Sequence, residues 1–234
     1  MTYRWMAAAV LLVPVLMLPA RADDDPQEAA AYAKCPGAAA FARLHPKPSP
    51  PDIAAAAARL PELRIELLRM QERDQDVRNG DWSQETIRRM MQVDAEHLPR
   101  IKQIVAEHGF PTAELVGRDG VDAAWLLVQH ADADPAFQEQ MLSSITPRVQ
   151  SGEISRHQFI LLTDRVLAGQ GKPQRYGSQL LAQDGRWVPK PIEAPESEVD
   201  QRRAAMGDMP LADYICMATQ MFPPPATVPA PAQP

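Results

Sequence analysis

Several polar side chains fall on lines of residues that helical spacing otherwise makes apolar. Asp164 is the clearest: the residues three and four positions away on either side are Ile160, Leu161, Leu167 and Ala168, so its carboxylate points into an apolar face. A carboxylate taken out of water needs a partner or a proton, and both conditions are the raw material of acid–base chemistry. Asp74 lies on a similar stripe between Met70 and Val77, and Asp94 and His97 interrupt the next one between Met90 and Leu98. His130 ends the most apolar helix, which contains the run Ala123 to Val128, and there a helix C-terminus favours an imidazolium. Each has a purely structural counterpart. Asp74 and Asp164 would serve equally to tie helices through arginines or backbone amides, and His130 to cap a helix.

The segment from Gly171 to Gln179 reads G-K-P-Q-R-Y-G-S-Q and gathers amides, a guanidinium, a phenol and a hydroxyl between two glycines. Loops of this kind place hydrogen-bonding groups on a rigid scaffold. It follows directly on the helix that carries Asp164 and Arg165, so Gln174, Tyr176 and Gln179 are expected to converge with them, the alternative being a polar turn with Tyr176 packed as a hinge. Asp94 and His97 have the spacing of a metal-ligand pair on one helix face, but no third ligand stands at a telling distance, and neither metal nor cofactor is assigned. The chain has no nucleophile elbow, H-E-x-x-H, phosphate-binding loop, dinucleotide fingerprint or C-x-x-C. Trp82, Trp125 and Trp187 read as core or edge packing.

The elements that must position these groups are mostly helical. Asp52 caps an alanine-rich helix interrupted near Pro61, after which Leu60, Leu63, Leu67, Met70 and Val77 continue a stripe to Asn79-Gly80. Ser83 caps a helix with the stripe Ile87, Met90, Met91, Leu98, Ile101, Ile104 and Val105, kinked at Pro99 and closed at Gly109. Val121 to His130 is a helix buried on all sides, Asp134-Pro135 opens another, and Ser155 with Gln158 forms a capping box for a helix that runs to Gly169. Asp184-Gly185 then turns a hairpin between Ser178–Gln183 and Arg186–Val188, with Pro189 and Pro191 confining the second strand to an edge. Helices over Val199–Met206 and Leu211–Met221 complete a mainly α fold: a single helical domain with one small β-hairpin.

Around this body, at 52–222, lie segments of other character. Residues 1–22 have Arg4, an apolar stretch from Met6 to Leu18 and the triplet Ala20-Arg21-Ala22, the layout of a cleaved export signal. The stretch is shorter than the roughly 20 residues a membrane span needs, so no stable anchor remains after cleavage. Residues 23–51 form an N-terminal segment ending in the Pro-rich linker H-P-K-P-S-P-P, and 223–234 is a Pro-rich disordered tail. Export leads to a periplasmic or secreted, oxidising location, where Cys35 and Cys216 are expected to pair; two free thiols are the alternative. The net charge of −6 and the lack of a basic stretch exclude nucleic acid and an electrostatically held membrane surface as partners.

The order and wording of several motifs go further. Asp74-Gln75 with Arg78, His108-Gly-Phe110-Pro111, Val116-Gly117, A-A-W-L-L-V-Q-H-A-D from Ala123 to Asp132, Asp134-Pro135 with Phe137, Asp164-Arg165-Val166, Q-x-Y-G-S-Q from Gln174, and V-D-x-R-R from Val199 resemble a family of bacterial proteins, often exported, catalogued only as a domain of unknown function. The family usually has tryptophan where this chain has Phe110 and threonine where it has Ser178, mild changes that keep packing and a hydroxyl. The resemblance covers about Leu63 to Tyr214. It implies a shared helical domain and a shared site, with no activity to carry over.

Together these readings give an exported helical protein with a polar pocket, acting as a hydrolase or transferase on a small polar or anionic ligand. His130, Asp164 and Tyr176 would be catalytic, and Asp74, Gln129, Arg165, Gln174 and Gln179 would bind the ligand. The competing reading is a non-catalytic periplasmic binding or protein-interaction module whose partner is an envelope protein.

Overall fold

The computed structural model describes residues 26–46, 58–78 and 82–225. The expected export signal, most of the Pro-rich linker, the helix start expected at Asp52, the stop expected at Asn79-Gly80 and the end of the tail lie outside these residues. Among the described residues the chain forms α1 (Pro26–Lys34), α2 (Pro36–Leu44), α3 (Pro61–Asp76), α4 (Gln84–His108), α5 (Ala113–Gln129), α6 (Pro135–Gln150), α7 (Arg156–Gly169), β1 (Leu180–Gln183), β2 (Arg186–Pro189), α8 (Glu196–Ala205) and α9 (Leu211–Met221). The fold is mainly α with one two-stranded antiparallel hairpin, as the periodicity predicts. None of these helices is long and apolar enough to cross a membrane.

α5 is the axis of the molecule. From Val121 to Gln129 it is almost wholly enclosed, with α3, α4, α6 and α7 packed against it. A helix apolar on every side can only be stable in such a sheath. Its first turn departs from helical geometry at Gly117, whose φ of 74° favours glycine and whose absent side chain leaves room for the Arg64–Asp119 ion pair. Backbone bonds from Arg59 and Leu60 to the carbonyls of Glu114 and Leu115 pin the entrance of α3 to the start of α5. Pro61 opens α3 at its first position, where its missing N–H would be unpaired anyway.

The caps read from the sequence form as expected. Ser83 accepts from Thr86 N, Asp134 from Phe137 N, and Ser155 and Gln158 exchange both bonds of a capping box. Asp184 and Gly185, both at positive φ, turn the hairpin between Gln183 and Arg186. The stripe of α4 holds at Ile101 and Ile104 and fails at Met91: Met91 is 67% exposed, and the buried line is Val93, His97, Ile101 and Ile104. The indoles of Trp82 and Trp187 meet edge to face and donate to the carbonyls of Pro223 and Phe222, fastening the chain's exit from α9.

The segment 23–51, to which the sequence pattern assigns no element, contains α1 and α2. Pro26 and Pro36 occupy their first positions, and Ala31, Cys35 and Ala38 pack with Met217 and Met221 of α9 in a small second core. Cys35 and Cys216 are joined by a disulfide within it. The bridge spans 181 residues, so in the chain-entropy account it removes about 5 kcal/mol of freedom from the unfolded chain. Reduction is therefore expected to lower the unfolding free energy read from urea titration by an amount approaching that figure, and Cys216→Ser to reproduce the loss without reductant.

Candidate functional site

Two separate polar networks hold the residues singled out by the sequence. The first begins on the inner face of α3. Asp74 is fully buried, and its two carboxylate oxygens accept Nδ1 of His130 at 2.9 and 3.0 Å. The same carboxylate takes a bond of 2.8 Å from Arg78 Nη1, one turn further on, and another of 2.8 Å from Gln75 Nε2. Arg78 then reaches across to α4 and donates through Nη2 to both oxygens of Asp94, at 2.6 and 2.8 Å. Because a carboxylate can only accept, Nδ1 of His130 carries a proton, and Nε2 is the nitrogen left to exchange one. Nε2 is buried and has no hydrogen-bond partner among the described residues.

The charges in this network split the two carboxylates. Burial pushes Asp74 up, but His130, Arg78 and the Gln75 amide outweigh it and leave the carboxyl below its ordinary range. For Asp94 burial wins over Arg78, and its carboxyl stands above the ordinary range. Carboxylates driven apart in this way mark possible acid and base positions. His97 is pushed down by burial, against the pull of Asp74 and Asp94, and lines a groove of about 350 Å³ between α3 and α4 with Met70, Arg73 and Arg100. Asp74, Asp94 and His130 each bring a ligand-type atom within 4.8 Å of the others. The position between the carboxylates is filled by the Arg78 guanidinium, which supplies the positive charge there.

The network continues along the C-terminus of α5. Gln138, from α6, donates Nε2 to the end carbonyls of Val128 and Gln129 and to Asp132, covering acceptors that a helix end leaves unpaired. Asp132 in turn receives Arg165 Nη1 at 2.9 and 2.7 Å. Burial raises the Asp132 carboxyl, and Arg165 and Gln138 reverse this to leave it lowered. Gln129 is fully buried, and neither end of its amide has a partner among the described residues.

The second network is built on Asp164. Its Oδ1 accepts the backbone N–H groups of Arg175 and Tyr176 at 2.9 and 3.0 Å, and its Oδ2 that of Ser178 at 2.7 Å. A buried anion surrounded by amides organises the loop as a bound ion would. Burial pushes this carboxyl up while the amides pull it down, and the net direction is up. Gln174 is a second clamp: Oε1 accepts from Gln179 N, and Nε2 donates to the carbonyls of Gln179 and Lys190. Gln179 donates to Leu161 O on α7, and the Tyr176 carbonyl accepts from the fully buried Arg203. Gly177 has φ of 73° and lies so close to Leu211 that a side chain would collide with it.

The structure thus unites His130 with Asp74, and brings Arg165 to the neighbouring end of α5 through Asp132. It places Asp164, Gln174, Tyr176 and Gln179 together in the loop network, apart from the His130 pair. Adjacent residues on α7, Asp164 and Arg165, reach different networks. Arg78 and Asp94 complete the His130 network, and Asp132 and Gln138 tie Arg165 to the end of α5; of these four the sequence offers only Asp94 as a ligand, and that for a metal. The signals available were the i, i+4 spacing of Asp74 and Arg78 and the position of Asp132 just past the apolar helix.

Asp164→Asn is expected to cost about 1.5–3 kcal/mol of stability, since its amide nitrogen cannot accept from a backbone N–H. Chemical denaturation checks the value, and the His130 ring resonances should not move. Asp74 and Asp132, lowered in the fold, contribute stability that is present at neutral pH and is lost as pH falls below about 4, through their folded values. Asp94 and Asp164 act in the opposite sense, their penalty easing as pH falls through their raised values. Asp74→Asn should lose about 3–5 kcal/mol at neutral pH and show a weaker decline below pH about 4 in urea midpoints.

No curated protein matches the chain, and no solved structure matches it. Residues 61–223, from the first residue of α3 to the carbonyl that Trp82 holds, match a family described only by its unknown function. The matched region contains both networks and leaves out α1, α2 and the first cysteine of the disulfide. The chain belongs to this family of unknown function, DUF6624.

Proposed function

We propose that the domain is an acid–base enzyme, a hydrolase or transferase acting on a small polar ligand, with Asp74 and His130 as its working pair. One observation carries the reading: both oxygens of a fully buried carboxylate hold Nδ1 of His130, while Nε2 has no partner. Such a carboxylate fixes the tautomer, orients the ring and stabilises the imidazolium formed when Nε2 takes a proton. Arg78 bonds Asp74 and joins it to Asp94, so the charge of the pair is shared with a second carboxylate on α4. Asp164, Gln174, Tyr176 and Gln179 would act as positioning residues, setting the loop that abuts α7. The disulfide and the signal-like first 22 residues support an envelope location.

A second reading, a non-catalytic interaction module, is favoured by the closed state of the loop network, in which Asp164 and Gln174 are satisfied by backbone groups. The two are separated by His130→Gln, examined with a screen of phosphomonoester, carboxylic ester, amide and glycoside substrates. The acid–base reading expects turnover by the wild type to fall about 10²–10⁴-fold with the circular dichroism spectrum intact. Absence of turnover by the wild type on every substrate would favour the interaction module, and turnover unchanged in the variant would remove His130 from the chemistry.

A further inference from the structure

Buried donors without acceptors are concentrated where α5 ends. Arg165 is 3% exposed; its Nη1 serves Asp132, but Nε and Nη2 have no partner among the described residues. That edge of the guanidinium has a defined use in this same molecule. Arg100 places Nε and Nη2 on the two oxygens of Glu66, and Arg64 does the same with Asp119. Two parallel N–H groups at this spacing match the two oxygens of a carboxylate or a phosphate. Arg165 holds the same edge out of water with nothing on it.

Other side chains on this end of α5 share this condition. Trp125 and Gln129 are one turn apart on α5, both fully buried; the indole Nε1 and both ends of the amide lack partners, as does Nε2 of His130. Gln138 bonds the Gln129 carbonyl and Asp132 at once, so the Arg165–Asp132 pair is fastened to the end of the helix that carries these groups. Lys190, at the end of the hairpin, is close enough for Arg165 and Asp132 to act on its ammonium. The unpaired atoms are mainly donors: the two guanidinium nitrogens, the indole, the amide nitrogen and, once protonated, the imidazole. A neutral or cationic ligand would leave most of these donors unmet, whereas an acceptor-rich group suits them; the Gln129 amide oxygen is the one acceptor of the set.

We infer that the Nε and Nη2 edge of Arg165, held by Asp132 to the end of the helix that carries Trp125, Gln129 and His130, is a subsite for an oxyanion, the carboxylate or phosphate of the ligand. The inference deepens the acid–base reading by naming the charge of the ligand, and it rests on that reading for the role of His130. The donors lie beneath the surface, so the anion enters as the packing over them opens. Once there, it sits against a guanidinium already oriented by Asp132, a preorganised arrangement for charge on the ligand.

The test uses the whole protein with inorganic phosphate and with acetate, each against chloride at equal ionic strength. In ¹H–¹⁵N spectra of arginine side chains, one Nε–H resonance is expected to shift saturably, and its absence from the Arg165→Lys spectrum assigns it. The melting temperature should rise with the anion, and binding should weaken at least tenfold in Arg165→Lys, which keeps the charge but lacks the fork. Should that variant fail to fold, Gln129→Met leaves the Arg165–Asp132 pair in place and should weaken binding several-fold. A response to phosphate alone or to acetate alone identifies which oxyanion is taken. No shift with either, or equal binding by Arg165→Lys, overturns the inference. His130→Gln keeps the two readings apart: anion binding with turnover unchanged in this variant ends the acid–base reading alone, and turnover lost without any anion binding in the wild type ends the subsite alone.

Discussion

A carboxylate with no access to water must be answered by charge or by donors, and Asp74 imposes this condition on the centre of the molecule. It stands on the line of α3 that otherwise carries Leu63 and Leu67, so α3 cannot dock on α5 unless partners arrive with it. Arg78 comes from the end of the same helix, Asp94 follows because Arg78 has a second nitrogen to place, and His130 comes from the end of α5. One buried charge thereby fixes the relative positions of α3, α4 and the C-terminus of α5. The feature that makes the site plausible as chemistry is therefore also a condition of the packing.

Asp164 applies the same rule with a different outcome. Its donors are backbone N–H groups of the loop that follows its own helix, so the carboxylate organises main chain instead of side chains. The loop is then closed by Gln174, which bonds backbone at both ends of its amide, and joined to the start of the hairpin through Gln179. Where Asp74 leaves a nitrogen of its partner unpaired, Asp164 leaves the amides around it answered. Two carboxylates with the same signature in sequence thus differ in what they leave available.

That difference explains which parts were legible beforehand. Local rules found the capping residues, the hairpin turn and the enclosed helix, because each depends on residues within a turn or two of one another. They also found Asp74, Asp164 and His130 as anomalies, since burial of a polar group follows from helical phase. Periodicity carries no information on which distant element answers a buried group, so the union of Asp74 with His130 and the separation of Asp164 from both were not readable. On α4 the stripe holds at Ile101 and Ile104 and fails at Met91, which is exposed, because local phase does not say how far the neighbouring helix covers each turn. The helices α1 and α2 have too little stripe of their own, and form against α9 where the cysteines join.

The bond between Cys35 and Cys216 has a mechanical side as well. It connects two points 181 residues apart in sequence whose Cα atoms are 5.9 Å apart, so everything from α2 to the first half of α9 forms one covalent ring. Tension applied to the two ends of the chain runs through the sulfur–sulfur link and bypasses that ring. Neither buried network lies in the line of force. A protein tethered or tugged at its termini would keep its interior unstressed for as long as its surroundings stay oxidising.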